Sequence, residues 1–348
     1  MARGLVVGFI LGFFILVLGI ATYLIHIEHY GRWALNTTSD PFYVVLEPGT
    51  SLQRFSSQLA AQGFIADPKQ FARYGWLRGM SRSLQAGEYA INPEETVADL
   101  FVKLVNGEVV QHTITLVEGW TFLQVRQAFI QEPGIKIQWL ALPQAQLLEK
   151  LGSDRLNLEG IFYPDTYHFT VPTTDADLLQ RAYQKMQQEL EKKWMTRAES
   201  LPYKTPYESL IAASLVEKET ALAEERPLVA GVLVNRLKKG MRLRFDPTVI
   251  YALQELYTGN LTRADLRTQS PYNTYLHAGL PPTPIGLPSS DSLDAALHPS
   301  QDGYLYFVAT GDGGHFFSES LAEHEQAVQR YLEKLRQRQS PQGIKVEN

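Results

Sequence analysis

The feature that most constrains this chain is an apolar run close to its amino terminus. In "MARGLVVGFILGFFILVLGIATYLIHIEHYGRW" no charged residue occurs from Gly4 to Ile25, a stretch of 22 residues. Because about 20 helical residues span the hydrocarbon core of a bilayer, residues 1–28 are predicted to form a transmembrane anchor. The run ends without a small-x-small cleavage motif, which favours an uncleaved anchor over the alternative, a cleaved signal peptide.

The residues that flank the apolar run predict its orientation. Arg3 precedes the run, and an excess of positive charge marks the cytoplasmic side of a membrane helix. Tyr23, Tyr30 and Trp33 follow the pattern of an aromatic belt at the outer interface. The bulk of the chain is therefore predicted to lie outside the membrane, and the polar, turn-rich residues 29–41 are predicted to form a short tether.

Composition excludes several classes of function. The net charge of −5 gives no sign of the basic face that nucleic-acid binding requires. The absence of cysteine excludes disulfides, a thiol nucleophile and cysteine-ligated zinc. The eight histidines form no helical i, i+4 pair in the body of the chain, so no metal site is predicted. His315 and His324 are interpreted as hairpin and helix-cap residues, with a position in a cleft as the alternative.

The apolar patterns predict an α+β chain with two domains after the anchor. Residues 42–118 alternate strand and helix patterns, including a helix with Thr96 as its N-cap and Gly107 at its end. Residues 119–338 are mostly helical and end with a β-hairpin that turns between Gly311 and Gly314. Residues 339–348 are predicted to be a frayed tail.

A predicted helix from Tyr207 to Ala223 contains the most informative acidic residues. On a helical wheel of about 100° per residue, the apolar side chains of Ile211 and Leu215 fall within about 40° of each other. Glu219 falls at about 80°, inside this apolar stripe, whereas Glu217 and Glu224 fall on the opposite side. The pattern predicts that Glu219 faces the core and that the other two are solvated.

A carboxyl group among apolar side chains is costly to ionise, so its pKa is expected to rise. A glutamic acid that keeps its proton near neutral pH can donate it to a glycosidic oxygen as a general acid. The alternative is that Glu219 is buried but merely structural, paired with Arg236, Arg242 or Lys218. Residue patterns alone leave both interpretations open.

A second group of residues is typical of sugar binding. In "SPYNTYLHAGLPPTPIGLP" the amide of Asn273 lies between Tyr272 and Tyr275 in a proline-rich loop, where it can hydrogen-bond a sugar while the rings stack on it. The alternative is a loop that packs its tyrosines inward. Asp246, in "RFDPT", is either part of the same cleft or the cap of the helix that follows.

Four stretches of the chain resemble the YceG-like family of membrane-anchored endolytic murein transglycosylases. They are "LEGIFYPDTYHF", "AASLVEKETALAEERPLVAGVLVNRLKKGMRLRFDPTVIYAL", "SPYNTYLHAGLPPTPI" and "GGHFFSESLAEH". In that family the catalytic acid is the second glutamate of E-K-E-T, which corresponds to Glu219. The resemblance also implies that residues 42–118 form a LysM-like unit and residues 119–338 the catalytic domain.

The resemblance implies cleavage of the β-1,4 bond between N-acetylmuramic acid and N-acetylglucosamine, with 1,6-anhydro ends as the product. It implies peptidoglycan as the substrate, no cofactor, an inner-membrane location with a periplasmic catalytic domain, and peptidoglycan synthases as neighbours. Glu219 is the expected catalytic residue, and the expected glycan-contacting residues are Tyr272, Asn273, Tyr275, Asp246 and Glu159. Two alternative functions remain. One is a lysozyme-like hydrolase with Asp246 or Glu159 as a second carboxylate, and the other is a non-catalytic glycan-binding module.

Overall fold

The computed structural model of the protein describes residues 2–35 and 40–339, and it is an α+β chain, as predicted. The chain forms two compact units. The first comprises the chain up to Thr113 with the short segments Gly134–Lys136 and His168–Thr173, and the second comprises the remainder. Part of the predicted tether, residues 36–39, and nearly all of the predicted tail, residues 340–348, lie outside the described residues.

The first unit consists of a long N-terminal helix and a small two-stranded domain. Its elements are α1 (Ala2–Tyr30), β1 (Phe42–Leu46), α2 (Leu52–Ala61), α3 (Pro68–Leu77), β2 (Gly87–Ile91) and α4 (Val97–Asn106). Strands β1 and β2 pair antiparallel, with Phe42 opposite Ile91 and Leu46 opposite Gly87. The predicted ends of α4 are confirmed: Thr96 and Asp99 form a capping box, and Gly107 adopts the left-handed conformation that ends the helix.

Helix α1 is long and apolar enough to cross a membrane from Val7 to Tyr30. Its C-terminal end packs into the small domain, because Ile27 and Tyr30 are buried there with Leu35. The backbone of Leu35 donates to the carbonyl of Glu95, and Ala34 forms a β-bridge with Thr96. Helix α1 therefore packs against the small domain of the first unit in addition to being covalently continuous with it. Whether that unit is LysM-like stays a prediction.

The second unit contains most of the helices and the hairpin. The elements that follow α4 in chain order are β3 (His112–Thr115), α5 (Phe122–Gln131), β4 (Ile135–Lys136), α6 (Gln144–Lys150), β5 (Thr166–Phe169), β6 (Thr173–Thr174), α7 (Asp175–Met195), α8 (Pro206–Glu219), α9 (Arg226–Lys238), α10 (Asp246–Leu253), α11 (Ser290–Leu297), β7 (Tyr306–Ala309), β8 (His315–Ser318) and α12 (Leu321–Gln339). The predicted hairpin is confirmed, with Tyr306 opposite Ser318 and Ala309 opposite His315.

Helix α8 lies at the centre of the second unit, and two expectations for it are wrong. It ends at Glu219 rather than Ala223, because Thr220 is extended and its hydroxyl accepts from the backbone of Leu222. It also has no broad solvated face, since every residue from Ser209 to Val216 is buried. Helices α9, α10 and α11 surround it. A helix enclosed in this way loses the amphipathic pattern on which a wheel depends.

Candidate active site

The carboxyl group of Glu219 is the central feature of the second unit. Glu219 is the last residue of α8, where the helix meets an open cleft. Its Oε2 is buried and has no hydrogen-bond partner within the part of the chain that the structure describes. The pKa of Glu219 is raised to about 8: burial is the main cause, the nearby Asp246 carboxylate adds to it, and the Arg236 guanidinium acts in the opposite direction. The group can therefore hold a proton at neutral pH.

Glu217 shows how differently a neighbouring carboxylate is held. Its side chain is only 8% exposed, so the expectation that it lies on a solvated face is wrong. The backbone N–H and the hydroxyl of Ser289 donate to its Oε2, at 2.9 Å and 2.5 Å. Arg226 lies 3.8 Å from its other oxygen. Glu217 thus has the ordinary partners of a structural carboxylate, whereas Glu219 does not.

The turn after α8 fixes one wall of the cleft. Glu225 accepts hydrogen bonds from the Thr220 hydroxyl at 3.0 Å and from the backbone N–H of His315 at 2.6 Å. The ring nitrogen Nδ1 of His315 lies 2.7 Å from the same carboxylate. A Cβ on Gly314 would come within 2.9 Å of it, so a larger residue at this position would have to displace the Glu225 carboxylate. One buried carboxylate thus joins the end of α8 to the hairpin.

Arg236 of α9 supplies a positive charge whose donors are used elsewhere. Its Nε donates to the carbonyl of Leu305 at 2.6 Å, and its Nη1 donates to the carbonyl of Leu243. The guanidinium also lies over the ring of Tyr306, 5.6 Å from the centroid. Its side chain is buried, and it forms no ion pair with Glu219 in the described residues, nor do Arg242 and Lys218. The paired alternative for Glu219 is therefore not observed.

Asp246 and Tyr275 form the opposite part of the cleft. Asp246 opens α10, and its Oδ1 accepts from the hydroxyl of Tyr275 at 2.5 Å. Burial and the neighbouring Asp246 both raise the pKa of Tyr275, so its hydroxyl keeps the proton that it donates. Asp246 does not cap its helix, because Phe245 is the N-cap residue. The structure therefore brings Glu219, Asp246 and Tyr275 together in one cleft, and their contact with glycan stays a prediction.

The cleft has a volume of about 740 Å³, within the range of ligand-binding sites. Its lining combines three arginines, two carboxyl groups, two histidines and one strand of the hairpin. The lining residues are Glu219, Arg236, Met241, Arg242, Arg244, Asp246, Tyr275, Tyr306, Phe307, Val308, Ala309, His315, Leu321 and His324. A polar cleft with an aromatic and aliphatic wall suits a carbohydrate, whose rings have both polar edges and apolar faces.

Three residues expected to contact glycan do not line this cleft. Asn273 is fully buried; its amide donates to the carbonyls of Leu266 and Thr268, at 3.1 Å and 2.9 Å, and accepts from the backbone of Tyr275. It organises the loop, because an amide can satisfy several backbone groups at once. The inward-packing alternative therefore describes this part of the loop.

Tyr272 and Glu159 belong to a separate cluster around Tyr251, in which Glu159 is buried and the two tyrosines are half-buried. The ring of Tyr272 lies 4.8 Å from that of Tyr251, and its hydroxyl bonds to Thr283 at 2.8 Å. Glu159 accepts from the hydroxyl of Tyr251 at 3.1 Å and from the backbone of Phe122 at 2.8 Å. Burial raises the pKa of Glu159 to about 7, against the effect of these hydrogen bonds. Its two oxygens are both partnered, unlike those of Glu219.

Sequence reasoning missed several cleft residues, chiefly Arg244, Tyr306 and the first strand of the hairpin. One signal was available in "MRLRFDPT", where Arg242, Arg244 and Asp246 alternate with fully buried Leu243 and Phe245. Alternation of this kind indicates an extended segment with one face in the core. No sequence signal shows that the hairpin would fold over the end of α8, because that contact joins distant parts of the chain.

Together these features define a class of protein: an α+β chain with an N-terminal apolar helix and a ligand-sized cleft lined by a glutamic acid whose buried Oε2 has no hydrogen-bond partner among the described residues. The sequence pattern of the YceG-like family matches residues 44–330. The chain belongs to that family.

Two relatives and one solved structure are similar to the chain over most of its length. An endolytic murein transglycosylase of Bacillus subtilis (strain 168) is 32% identical over 302 residues, covering 82% of this chain and 83% of the relative. An endolytic murein transglycosylase of Streptococcus pneumoniae serotype 2 is 29% identical over 323 residues, covering 83% of this chain and 58% of that longer relative. The crystal structure of a yceG-like protein from Listeria monocytogenes aligns with a TM-score of 0.52 at 28% identity, covering 83% and 99% of the two chains.

Proposed function

We propose that this protein is a membrane-anchored endolytic murein transglycosylase that cleaves the bond between N-acetylmuramic acid and N-acetylglucosamine. One observation carries the proposal: the carboxyl group of Glu219 lines the cleft, has a buried oxygen without a partner among the described residues, and has a pKa raised to about 8. Such a group is protonated at neutral pH, as a general acid must be. The relatives named as murein transglycosylases supply the substrate class.

The reaction needs only one acidic group. The proton of Glu219 moves to the glycosidic oxygen as the bond from that oxygen to C1 of the muramyl residue breaks. The C6 hydroxyl of the same residue then attacks C1, and its proton returns to the Glu219 carboxylate. The products are a new N-acetylglucosamine end and a 1,6-anhydromuramyl end, and no water is consumed. Glu219 is thus acid and then base in one cycle.

Arg236 and Asp246 adjust the proton affinity of Glu219 in opposite directions. The Asp246 carboxylate raises the pKa of Glu219, and the Arg236 guanidinium lowers it. Negative charge on Asp246 also favours the positive charge that develops at C1 in an oxocarbenium-like transition state. Tyr275 donates to Asp246 and so fixes its orientation. We assign Asp246 an electrostatic role and Tyr275 a positioning role.

The presence of Asp246 in the same cleft also favours the rival hydrolase. A second carboxylate can activate water, and the reaction would then leave a reducing end instead of an anhydro ring. The unpartnered oxygen of Glu219 argues against the non-catalytic binding module, because a buried carboxyl without a partner destabilises the fold and brings no benefit to simple binding. The products of the reaction separate the two enzymatic alternatives.

The anchor helix places this activity next to a membrane. We propose that α1 crosses the inner membrane once, with Arg3 on the cytoplasmic side and the catalytic unit in the periplasm. An enzyme held by one helix and a short connection reaches only glycan strands close to the membrane, where new strands emerge. Peptidoglycan synthases are then its expected neighbours, and cleavage would set the length of nascent strands.

Mass spectrometry of the released products tests the proposed reaction. Purified peptidoglycan is digested with the full chain in detergent, with Glu219→Gln, and with Glu224→Gln as a matched control, because Glu224 is exposed and does not line the cleft. We expect anhydromuramyl ends from the wild type and the control, and a loss of about 10²- to 10⁴-fold in Glu219→Gln. Reducing ends would establish the hydrolase. Bound glycan without cleavage by any of the three proteins would establish the binding module.

A further inference from the structure

A second large groove lies in the first unit, between α2 and α3. It has a volume of about 1050 Å³ and is distinct from the cleft of Glu219, which belongs to the second unit. Its charged lining residues are Arg54, Lys69 and Arg73, and hydroxyl side chains such as Ser57 add hydrogen-bonding capacity. No acidic residue lines it in the part of the chain that the structure describes. The groove is therefore suited to an anionic ligand.

The cations of this groove are available for binding. Arg54, Lys69 and Arg73 are all exposed, and none of the three forms an ion pair among the described residues. Trp76 also lines the groove, and 69% of its surface is exposed although it is a large aromatic residue. Exposed tryptophan beside lysine and arginine is typical of protein surfaces at the membrane interface.

Contacts with α1 determine the depth of the groove relative to the membrane. Helix α3 packs against the last turns of α1: Gln70 Nε2 lies 3.1 Å from His26 Nε2, Arg78 pairs with Glu28, and the rings of Tyr74 and Tyr30 are 6.2 Å apart. The apolar run of α1 ends at Ile25. Lys69 adjoins Gln70 in α3, so this end of the groove lies at the level where the apolar run ends.

The dimensions of a bilayer place that level in the headgroup layer. A hydrocarbon core of about 30 Å within a bilayer of about 40–45 Å leaves a headgroup layer about 5–7 Å deep on each side. At about 1.5 Å per residue, such a layer contains about three to five helical residues. Residues 26–30 of α1 are then at headgroup depth, and α3 lies beside them.

We infer that the groove lined by Arg54, Lys69, Arg73 and Trp76 binds the phosphate headgroup of an anionic phospholipid in the membrane that holds α1. This site is independent of the proposed reaction, although it rests on the proposal that α1 is a membrane anchor. The cations contact the phosphate, the hydroxyl groups contact the glycerol part, and Trp76 lies among the headgroups. Binding fixes the tilt of the first unit on the membrane surface, which a single helix alone does not do.

Fluorescence of Trp76 in nanodiscs tests the inference. The full chain and its Trp76→Phe variant are reconstituted in phosphatidylcholine discs and in discs with about 30 mol% phosphatidylglycerol, a content that gives the surface a strong negative potential. Each disc contains a small fraction of phosphatidylcholine with a nitroxide on its headgroup, which quenches nearby tryptophan. The difference between the two proteins isolates Trp76 from the other tryptophans. We expect its quenching to be at least about twofold greater in anionic discs, and the excess to disappear near 1 M salt.

Charge variants identify the groove as the site. Lys69→Gln with Arg73→Gln should abolish the excess quenching, and Arg54→Gln alone should reduce it. Arg82→Gln is the matched control, because Arg82 is exposed in the same unit but does not line the groove. Circular dichroism and urea unfolding show that each variant is folded. Glu219→Gln should retain the full excess, so failure of the proposed reaction and failure of lipid binding are separate results.

Three outcomes would overturn the inference. Equal Trp76 quenching in neutral and anionic discs would exclude a headgroup site. Loss of the excess on addition of inorganic phosphate at millimolar concentration would indicate a site for free phosphate instead of a lipid. Displacement of the lipid signal by soluble glycan fragments would indicate that the groove binds glycan.

Discussion

Replacing Glu219 with glutamine should abolish activity and yet make the protein more stable at alkaline pH. The amide has nearly the shape of the protonated acid, so the packing of the cleft is retained. The difference arises in the pH range where the unfolded wild-type chain has lost this proton and the folded protein still keeps it. Because Oε2 of Glu219 is buried and has no partner among the described residues, the charged form is poorly solvated in the folded state.

The size of the effect follows from linkage between protonation and folding. The pKa of Glu219 is raised from 4.5 to about 8 on folding, so the folded state binds more protons than the unfolded state between these values. Stability is therefore highest below pH 4.5 and falls as the pH rises toward 8. Integration gives a loss of about 4 kcal/mol between pH 5 and pH 9 in the wild type, which Glu219→Gln does not share.

Urea unfolding between pH 5 and pH 9 measures this difference. The second unit contains three of the five tryptophans, Trp120, Trp139 and Trp194, so their fluorescence follows its unfolding. We expect the variant to be more stable than the wild type by about 1 kcal/mol at pH 5 and by about 5 kcal/mol at pH 9. Glu224→Gln serves as the control and should follow the wild type. A difference between Glu219→Gln and wild type that does not change with pH would refute the reasoning.

Three further predictions concern the cleft and the loop beside it. The pKa of Glu219 is about 8, so kcat/KM should fall as the pH rises through that value. Because Asp246 raises this pKa, Asp246→Asn should move the fall in kcat/KM to lower pH. A pH–rate profile whose alkaline limb does not move would exclude the coupling. Asn273→Ala should reduce the free energy of unfolding by about 1–3 kcal/mol, because it leaves two backbone carbonyls unsatisfied. The KM for glycan should stay unchanged. A raised KM with unchanged stability would show that the amide contacts substrate. Burial raises the pKa of Glu225, but hydrogen bonds from His315 and Thr220 lower it overall. Glu225→Gln should therefore reduce the free energy of unfolding by about 1.5–3 kcal/mol near pH 7. Urea titrations should show this reduction disappearing as the pH falls through the lowered pKa.

Local sequence signals predicted the fold well where the structure is local. The capping box of Thr96 and Asp99, the glycine at 107 and the hairpin turn near 311–314 all depend on residues close together in the chain. The solvated face expected for α8 is wrong because the helical wheel assumes a helix with one side in solvent. That helix is enclosed by α9, α10 and α11, and enclosure by distant segments leaves no periodic trace in the sequence.

The candidate site was predictable only in part for the same reason. Glu219 stood out by its motif, and Asp246 and Tyr275 by their neighbours. Glu225 was not identified, although it bonds both to Thr220 and to the start of β8. Its partner His315 is distant in sequence, and no local pattern indicates that the two meet. Asn273 illustrates the opposite error, because a polar residue between aromatic rings suits a buried loop as well as it suits a sugar site.

The helical wheel indicated Glu219 because it predicts a side chain that faces the core. The side chain of Glu217 is enclosed as well, so burial alone does not distinguish the two carboxylates. Their hydrogen bonds distinguish them: Ser289 provides two donors to Glu217, whereas no donor within residues 2–35 and 40–339 reaches Oε2 of Glu219. Arg236 is close enough to lower the pKa of Glu219, but it donates to backbone carbonyls instead. Had it paired with Glu219, the acid would be ionised at neutral pH and unable to donate a proton. Without an ion pair to Arg236 among the described residues, Glu219 weakens the fold at alkaline pH, but it keeps the proton that the proposed reaction requires.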